Sequence, residues 1–447
     1  MANRKRVAAF TALAASAAML LASCTSTDES ESPTTSAAAE PVTLTWWHNS
    51  VTAANGENDL GDYWQKVADD FTAANPNVTI EIEQIETNDL QRTRLPAALQ
   101  SGDAPDLVQS WGGGEMAQQV DAGYLLDLSA LIPDAIAELG GAASQWSVDG
   151  VQYGLPYTLG VEGVWYRKSL FEQAGITSEP TTMDELNEAV QKLKDAGITP
   201  IAVGAGADGG WPAAHWWYNF ALRECAPGVI GASTDSLDFS DPCYVAAGEA
   251  LEDFLATSPF QDQFMSTDAQ KTPTSATGLI ATGKAAMELM GHWNFGEYSG
   301  FAADDAAKAA LQDDLGWFVF PATASGKGAA SAALGGGDGF ACYKDAPVEC
   351  ADFLAYLTSA DVQTGMVNSV PSMLPVNPGA TGAVTTPVMA EIAAAASSAE
   401  YVQLWLDTAF GSNIGGGAMN KGIVAIFNGS GTPQGVVDLM TAAAATV

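Results

Sequence analysis

The sequence predicts an α/β protein divided into two lobes. A chain of 447 residues is too long to fold around a single hydrophobic core. Beyond residue 41, strand patterns alternate with helix patterns, which is typical of a mostly parallel sheet with helices on both faces. Residues 285–290 form a nearly continuous apolar run, which predicts a strand buried on both sides. Gly291, His292 and Trp293 follow it, at the strand end where open α/β sheets bind ligands.

The elements before residue 111 alternate regularly. Apolar residues at every second position predict strands, and a period of 3.6 predicts helices. The resulting strands are residues 42–50, 78–82 and 107–110, and the helices between them are residues 62–74 and 90–100.

The middle of the chain contains turn and capping signals. Asp149 and Gly150 predict a hairpin turn that runs into a segment crossing from lobe one to lobe two. Thr182 and Glu185 have the spacing of a capping box, which opens a helix ending near Ala196. Further predicted strands are residues 161–167 and 198–203, then 315–320 and 337–342 returning to lobe one. An irregular crossing is predicted at 371–378, and a glycine-broken helical tail at 386–447.

The amino terminus has the pattern of a bacterial export signal. Three basic residues at positions 4–6 precede an uncharged apolar stretch, residues 7–22, that is too short to predict a membrane span. The stretch ends in Leu21-Ala-Ser-Cys24, which resembles a lipobox and implies cleavage before Cys24 and lipidation of that residue. A plain secretory signal is the alternative. Residues 1–23 are therefore predicted to be a signal peptide and residues 24–40 a flexible tether.

The charge of the chain limits its partners. Acidic residues outnumber basic residues by 53 to 17, for a net charge of −36 at pH 7. Such a surface repels phosphate backbones and anionic lipids, which argues against nucleic-acid binding. It suits a soluble protein facing a neutral ligand, although solubility alone explains most of the charge.

The cysteines indicate disulfides rather than metal ligands. Beyond Cys24 they form an even set, which in an exported protein predicts two disulfides. The local pairs Cys225–Cys243 and Cys342–Cys350 are the simplest of three possible connectivities. No Cys-x-x-Cys occurs and the three histidines lack ligand spacing, so neither a metal nor a cofactor is predicted.

Several motifs together resemble one protein family. Gly283-Lys-Ala-Ala-Met287 precedes Gly291-His-Trp293, and the first strands and helices lead into Asp103-Ala-Pro-Asp106. These motifs resemble the extracellular solute-binding proteins of carbohydrate ABC importers, from about residue 42 to the end. Trp46-Trp-His-Asn49 and Gln109-Ser-Trp-Gly-Gly-Gly114 are most similar to actinobacterial binders of xylobiose and xylo-oligosaccharides. Trp405 and the glycine-rich residues 411–417 depart from that narrower pattern.

The resemblance implies a carbohydrate ligand, for which side-chain chemistry then selects candidates. Sugars need aromatic platforms for their C–H faces and carboxylates or amides for their hydroxyls. Trp111 and Trp293 follow strands directly, whereas Trp211 and Trp217 lie in an aromatic-rich helix where core packing is the commoner role. Asn294 either caps a helix or binds ligand. The full set of candidates is His48, Asn49, Trp111, Tyr157, Glu162, Trp211, Trp217, Trp293, Asn294, Asp338 and Asp407.

The resemblance also implies a fold, a mechanism and partners. It implies a two-lobed, class II periplasmic-binding-protein-like fold, with a ligand cleft and a hinge between the lobes. A monomeric lipoprotein on the outer face of the cell membrane would capture a short oligosaccharide by hinge closure and deliver it to ABC permease subunits, with no enzyme activity. The predicted lobes are residues 41–155 plus 318–372 and residues 156–317 plus 373–447.

Three alternatives remain at this point. The same fold could bind a cello- or malto-oligosaccharide, which a calorimetric panel of sugars would reveal. A secreted glycoside hydrolase needs a carboxylate pair that no local motif identifies, and it would release product from an oligosaccharide. A glycerol phosphate or a peptide is a third ligand class; the absence of an evident basic stretch in the sequence counts against an anion.

Overall fold

The computed structural model describes residues 40–51, 60–206 and 210–446. The predicted signal peptide, Cys24 and nearly all of the predicted tether lie outside these residues. Within the described part of the chain, none of the helices is long and apolar enough to cross a membrane. The same residues contain no group of three or more His, Cys, Asp or Glu side chains that could hold a metal ion.

The described strands agree closely with the predicted ones, although several are longer. Val161 was predicted to start a strand, but the strand begins at Gly154 and continues through the crossing between the lobes. The strands are β1 Val42–His48, β2 Val78–Gln84, β3 Leu107–Ser110, β4 Ser147–Val148, β5 Val151–Gln152, β6 Gly154–Arg167, β7 Thr199–Ile201, β8 Ala285–Gly291, β9 Leu315–Phe318, β10 Ala333–Cys342 and β11 Val402–Leu404.

The helices cover both faces of the sheet. The first ten are α1 Leu60–Ala74, α2 Thr87–Asp89, α3 Leu95–Ser101, α4 Gly113–Asp121, α5 Pro133–Leu139, α6 Lys168–Gln173, α7 Met183–Asp195, α8 Trp211–Glu224, α9 Val229–Ser236 and α10 Cys243–Ala256. The others are α11 Ala276–Ala281, α12 Asn294–Ser299, α13 Asp305–Asp314, α14 Glu349–Leu357, α15 Ala360–Ser369, α16 Pro387–Ser398, α17 Leu406–Ala409, α18 Asn420–Phe427 and α19 Pro433–Ala444. Two π-helical segments, Leu90–Arg94 and Ser412–Met419, and three 3₁₀ turns, Gly140–Trp146, Phe264–Ser266 and Pro378–Ala383, complete the described elements.

A nine-stranded sheet runs through the described chain in the order β2-β1-β3-β10-β6-β8-β7, with β11 paired to β10 and β9 paired to β6. The prediction of a mostly parallel sheet is wrong, because β6 and β10 pair antiparallel with each other and with β8 and β3 respectively. These two long strands run between the halves of the sheet in opposite directions. The sheet is therefore mixed at its centre and parallel in the β1–β2, β1–β3 and β7–β8 pairs.

Separate hydrophobic cores lie at the two ends of this sheet. In one, the ring of Trp46 lies 5.8 Å from Trp64 and 5.1 Å from Phe340. In the other, Trp216 stacks on Phe254 with ring centroids 4.9 Å apart. We call the parts packed around them lobe one and lobe two. The division of the chain at the residues given above stays a prediction.

The return from lobe two to lobe one is made by β10 and not by β9. Residues 315–320 were predicted to start this return, but β9 pairs with the last four residues of β6. Phe318 and Phe320 are buried in the lobe-two core. The reason is that β9 is too short to cross the sheet, whereas β10 extends from its pairing with β11 to its pairing with β3.

Several local predictions are confirmed. Thr182 and Glu185 form the capping box of α7. Asp149 and Gly150 both have positive φ at the turn between β4 and β5. The disulfides are Cys225–Cys243 and Cys342–Cys350, the pairs expected from sequence proximity.

Candidate functional site

Trp293 lies where the two lobes meet. Its partly buried ring packs against the lobe-one core and against the lobe-two core. The residue lies two positions after the end of β8, and the backbone at Gly291 is so close that an added Cβ would lie 2.0 Å from the indole ring. Only glycine therefore fits at residue 291 while this ring keeps its place.

Two further indoles surround Trp293. Trp405, just before α17, lies 5.4 Å away at an interplanar angle of 76°, and Trp211, at the start of α8, lies 6.4 Å away at 51°. We call Trp211, Trp293 and Trp405 the interlobe aromatic cluster. It joins residues that follow β8 and β11 with the first turn of a lobe-two helix, so these segments meet at one place.

The lobe-one wall of the site is built around Asp338. Gln109 Nε2 donates to its carboxylate at 3.1 Å, and the side chains of Trp111 and Asn49 are also hydrogen-bonded to it. Tyr157 is hydrogen-bonded to Gln109. Burial raises the pKa of Asp338 to about 6, against the lowering effect of these hydrogen bonds. The wall forms because β3, β6 and β10 are neighbours in the sheet.

The lobe-two wall is built around Glu162. His215 Nδ1 lies 2.5 Å from one carboxylate oxygen, and Asn219 Nδ2 donates to the other at 2.8 Å. His215 and Asn219 share a face of α8 because they are four residues apart. Burial by itself lowers the pKa of His215, but the Glu162 carboxylate outweighs it and the pKa is raised. This wall is therefore a buried carboxylate whose charge favours the protonated form of His215.

The aromatic cluster connects the two walls. The rings of Trp211 and His215 are 5.0 Å apart. At the other side, Trp405 lies against Gly336, where an added Cβ would be 2.6 Å from the ring. Gly336 is two residues before Asp338 on β10, so the aromatic cluster reaches the strand that carries the lobe-one carboxylate.

Beside the aromatic cluster, a polar contact joins the two lobes. Arg92 Nη2, from lobe one, lies 3.6 Å from Asp407 Oδ2 on α17 of lobe two. Nearby, Gln91 Nε2 donates to Glu115 at 2.7 Å. Burial raises the pKa of Glu115 to about 7, opposed by the charge of Arg92.

The glycines after Trp111 allow the lobes to approach each other. An added Cβ at Gly113 would lie 2.2 Å from Leu404 Cδ2, and one at Gly114 would lie 2.2 Å from the carbonyl oxygen of Ala409. Close approach of a ligand or of the other lobe was predicted for these glycines; they contact the other lobe. The lobes therefore touch in this structure along α4 and α17.

Three predicted ligand-binding residues have the surroundings of core residues. Trp217 is fully buried and stacks on Tyr244, with ring centroids 6.1 Å apart. Asn294 is buried and donates to Glu288 at 3.1 Å. His48 is buried against the edge of Trp46, and burial lowers its pKa to about 3. These contacts give no support to a ligand-binding role for these three residues.

Trp111 also differs from the predicted platform. It is 8% exposed and packs in a lobe-one cluster with Leu90 and Trp146. Its hydrogen bond to Asp338 orients that carboxylate. The residues that the structure brings together from the predicted set are Asn49, Trp111, Tyr157, Glu162, Trp211, Trp293, Asp338 and Asp407. Of these, Tyr157 is itself buried in the lobe-one core, where its ring stacks on Phe340 with centroids 5.0 Å apart.

Sequence reasoning missed several members of the site as candidates. His215 and Asn219 could have been found, because two polar residues four apart on an aromatic helix share a face. Arg92, Glu115 and Gln91 carry no such local signal. Their roles depend on contacts with distant segments.

The electrostatics favour a neutral ligand. Among the described residues of the site, each basic side chain already has an acidic partner: Arg92 with Asp407, and His215 with Glu162. An anion would have to displace one of these carboxylates. The site combines aromatic faces with hydrogen-bonding groups of both kinds, which suits a neutral polar molecule.

Comparison with known proteins gives the family. Residues 54–364 match the model of the bacterial extracellular solute-binding proteins. The chain belongs to this family. This solute-binding protein is 24% identical over 320 residues to the "multiple sugar-binding protein" of Streptococcus mutans, covering 69% of this chain and 68% of that one. The matched part of this chain spans only about half the length of two other curated relatives, 54% of one and 55% of the other.

Solved structures share the two-lobed fold. A chitin oligosaccharide binding protein has a TM-score of 0.79 at 24% identity, covering 90% of this chain and 98% of that one. A protein from a study of xylan utilization by Caldanaerobius polysaccharolyticus has a TM-score of 0.78, also at 24% identity, covering 90% and 99%. The solute-binding protein therefore has an α/β, class II periplasmic-binding-protein-like fold, as predicted.

Proposed function

We propose that this solute-binding protein captures a short neutral oligosaccharide between its lobes and delivers it to the permease of an ABC importer. The observation that carries the proposal is the position of Trp293, whose ring packs against the cores of both lobes. A sugar stacked on such a ring contacts both lobes only when they are closed. Its binding would therefore favour the closed form by the difference between its affinities for the two forms.

The chemistry around Trp293 supports a sugar. Indole faces pack against the C–H face of a pyranose ring, and carboxylates and amides accept and donate to its hydroxyls. Gln109 Oε1 and Trp405 Nε1 are buried and have no hydrogen-bond partner among the described residues. Core atoms such as Trp217 Nε1 also lack a partner in the described part of the chain, so the support comes from the position of these two atoms beside Asp338 and Trp293, where ligand hydroxyls would satisfy them.

We propose xylobiose or a xylo-oligosaccharide as the ligand. The support is the similarity of residues 46–49 and 109–114 to actinobacterial binders of these sugars, together with the fold shared with the protein from the xylan study. The chitin oligosaccharide binding protein has a similar TM-score, so likeness of fold does not select the sugar. Cello- and malto-oligosaccharides are the alternatives.

The proposal includes a place in the cell. Cleavage before Cys24 and lipidation of its thiol would hold the protein at the outer face of the membrane, close to the permease. Cys24 lies outside the described residues, and the support is the lipobox-like Leu21-Ala-Ser-Cys24. Metabolic labelling with a fatty-acid analogue, compared between wild type and Cys24→Ala, tests the anchor.

Isothermal titration calorimetry with xylo-, cello-, malto- and chito-oligosaccharides tests the ligand. We expect heat with at least one neutral sugar, strongest for xylobiose or xylotriose. Incubation of the same sugars followed by product analysis separates binding from hydrolysis. No heat with any neutral oligosaccharide would contradict the proposal, and sugar cleavage would replace it by the hydrolase alternative.

A further inference from the structure

One of the glycine-rich residues 411–417, Gly416, lies against Arg92. Arg92 is in the π-helical segment Leu90–Arg94 of lobe one, and Gly416 is in the π-helical segment Ser412–Met419 of lobe two. π-Helical turns are rare and often occur at functional sites. Two of them face each other here across the boundary between the lobes.

Arg92 fits against Gly416 only because that residue has no side chain. A Cβ added at Gly416 would lie 1.7 Å from Arg92 Nη1 and 2.4 Å from its Cζ, distances that atoms cannot adopt. The neighbouring Gly417 differs, because its added Cβ would meet only the carbonyl oxygen of Ser412, at 3.4 Å. Within one glycine run, a side chain at residue 416 would therefore displace the guanidinium of Arg92, whereas one at residue 417 would not.

The same guanidinium is paired with a carboxylate of lobe two. Arg92 Nη2 lies 3.6 Å from Asp407 Oδ2, and the two side chains are 28% and 12% exposed. The other ion pair between the lobes among the described residues, Lys271–Glu86, is 64% and 39% exposed. Screening by water and salt weakens exposed pairs much more than partly buried ones, so the Arg92 contact is the stronger link.

We propose that Arg92 is a latch residue that stabilises the closed arrangement of the lobes through Asp407 and Gly416. The inference rests on the proposed function, in which closure accompanies ligand capture. Asp407 and Gly416 belong to lobe two, so these two contacts are made only when the lobes are together, whereas the charge of Arg92 also acts on Glu115 within lobe one. Arg92 is thus a positioning residue, which acts on ligand affinity through the closed population.

The latch has a quantitative consequence for binding. The apparent dissociation constant is the intrinsic one divided by the fraction of molecules in the binding-competent form. If the latch raises the closed fraction, its loss makes opening easier and speeds the release of sugar. Direct contacts between sugar and protein within the closed form would be unchanged.

The test measures closure without sugar and sugar release in parallel. Site-specific spin labels at Leu131 of lobe one and Leu439 of lobe two, both exposed, report the distance between the lobes. We expect Arg92→Ala to lower the closed fraction of the sugar-free protein and to raise the dissociation rate and Kd of the sugar by about 5- to 10-fold, a usual size for coupling between sites. Arg92→Lys should restore part of the effect.

The glycine run supplies a matched control. Gly416→Ala should act in the same direction as Arg92→Ala, because its methyl group occupies the place of the guanidinium. Gly417→Ala should leave the distance distribution and the dissociation rate unchanged. In an Arg92→Ala background, Gly416→Ala should add nothing, since the clash it creates is already removed.

Each remaining outcome decides the proposal. Wild-type closure in both Arg92→Ala and Gly416→Ala would overturn it. So would a weaker Kd with an unchanged closed fraction, which would indicate that Arg92 contacts the sugar. If no sugar binds the wild type, the proposed function fails, but the distances in the sugar-free protein still decide the latch.

Discussion

The two walls of the site use the same kind of group in different ways. Asp338 in lobe one is surrounded by neutral donors, Gln109, Trp111 and Asn49, and burial raises its pKa to about 6. Glu162 in lobe two is paired with His215. The charge of the Glu162 carboxylate raises the pKa of His215, so the imidazole keeps its proton to a higher pH than usual. A carboxylate in an apolar site is thus accommodated either by a shift toward the neutral acid, as at the partly exposed Asp338, or by a buried counter-charge, as at Glu162.

Removing the ring between the walls should have the largest effect on ligand binding. Trp293→Ala deletes a surface that contacts both lobes, and central aromatic residues of this type are each worth roughly 2–4 kcal/mol of binding free energy. We expect sugar affinity measured by calorimetry to fall at least about 30-fold, the equivalent of 2 kcal/mol. Trp217→Phe, a change in the lobe-two core, is the control and should keep the affinity. Equal losses in both variants would place the ligand elsewhere.

Removal of the carboxylate should lower the free energy of unfolding by different amounts in the two walls. Glu162→Gln removes the charge that raises the pKa of His215, so burial favours the neutral imidazole and the charged hydrogen bonds to His215 and Asn219 are lost, which we expect to cost about 2–3 kcal/mol of the free energy of unfolding. Asp338→Asn replaces a carboxyl group whose pKa is already raised, so at pH 5 it should cost less than about 1 kcal/mol. Urea denaturation of both variants measures the difference. An Asp338→Asn variant as unstable as Glu162→Gln would remove the distinction.

The pH dependence of stability should separate the walls further. The pKa of Asp338 is raised from 3.8 to about 6, so the folded state binds more protons than the unfolded state in that interval and stability falls as the pH rises through it. The pKa of His215 is raised from 6.5, so its contribution is complete below pH 6.5 and is lost as the pH rises through the folded value.

Between pH 4 and 7, we expect the free energy of unfolding of wild type to fall by about 1–2 kcal/mol relative to that of Asp338→Asn. This is less than the full value of about 1.4 kcal/mol per pKa unit, because the Asp338 side chain is partly exposed. Taking the difference between the two proteins cancels the general effect of the acidic surface. A difference that grows with pH in favour of wild type would contradict the sign.

The smallest effect should come from the exposed link between the lobes. Lys271 Nζ lies 3.3 Å from Glu86 Oε1 at the surface. Exposed pairs contribute roughly 0–1 kcal/mol, so Lys271→Ala should change sugar affinity less than about 2-fold at physiological salt. Isothermal titration calorimetry of Lys271→Ala and Arg92→Ala with the same sugar compares the two affinities. A Lys271→Ala effect as large as that of Arg92→Ala would mean that burial does not decide the strength of these contacts.

Features set by neighbouring residues were predictable from the sequence. The capping box of α7, the turn at Asp149 and Gly150, the buried strand β8 and the two local disulfides all depend on residues close in the chain. The position of Trp293 at a strand end belongs to the same class, since strand pattern and chain order place it there.

What the tertiary structure alone decided are contacts between distant segments. The pairs Glu162–His215 and Arg92–Asp407 join segments 53 and 315 residues apart (215 − 162 and 407 − 92). Trp217 and Trp211 lie on one helix, yet one is a core residue and the other joins the aromatic cluster. The physical reason is that chain pattern specifies local backbone geometry, whereas the neighbours of a side chain, and hence its charge and its role, depend on how the whole sheet is assembled.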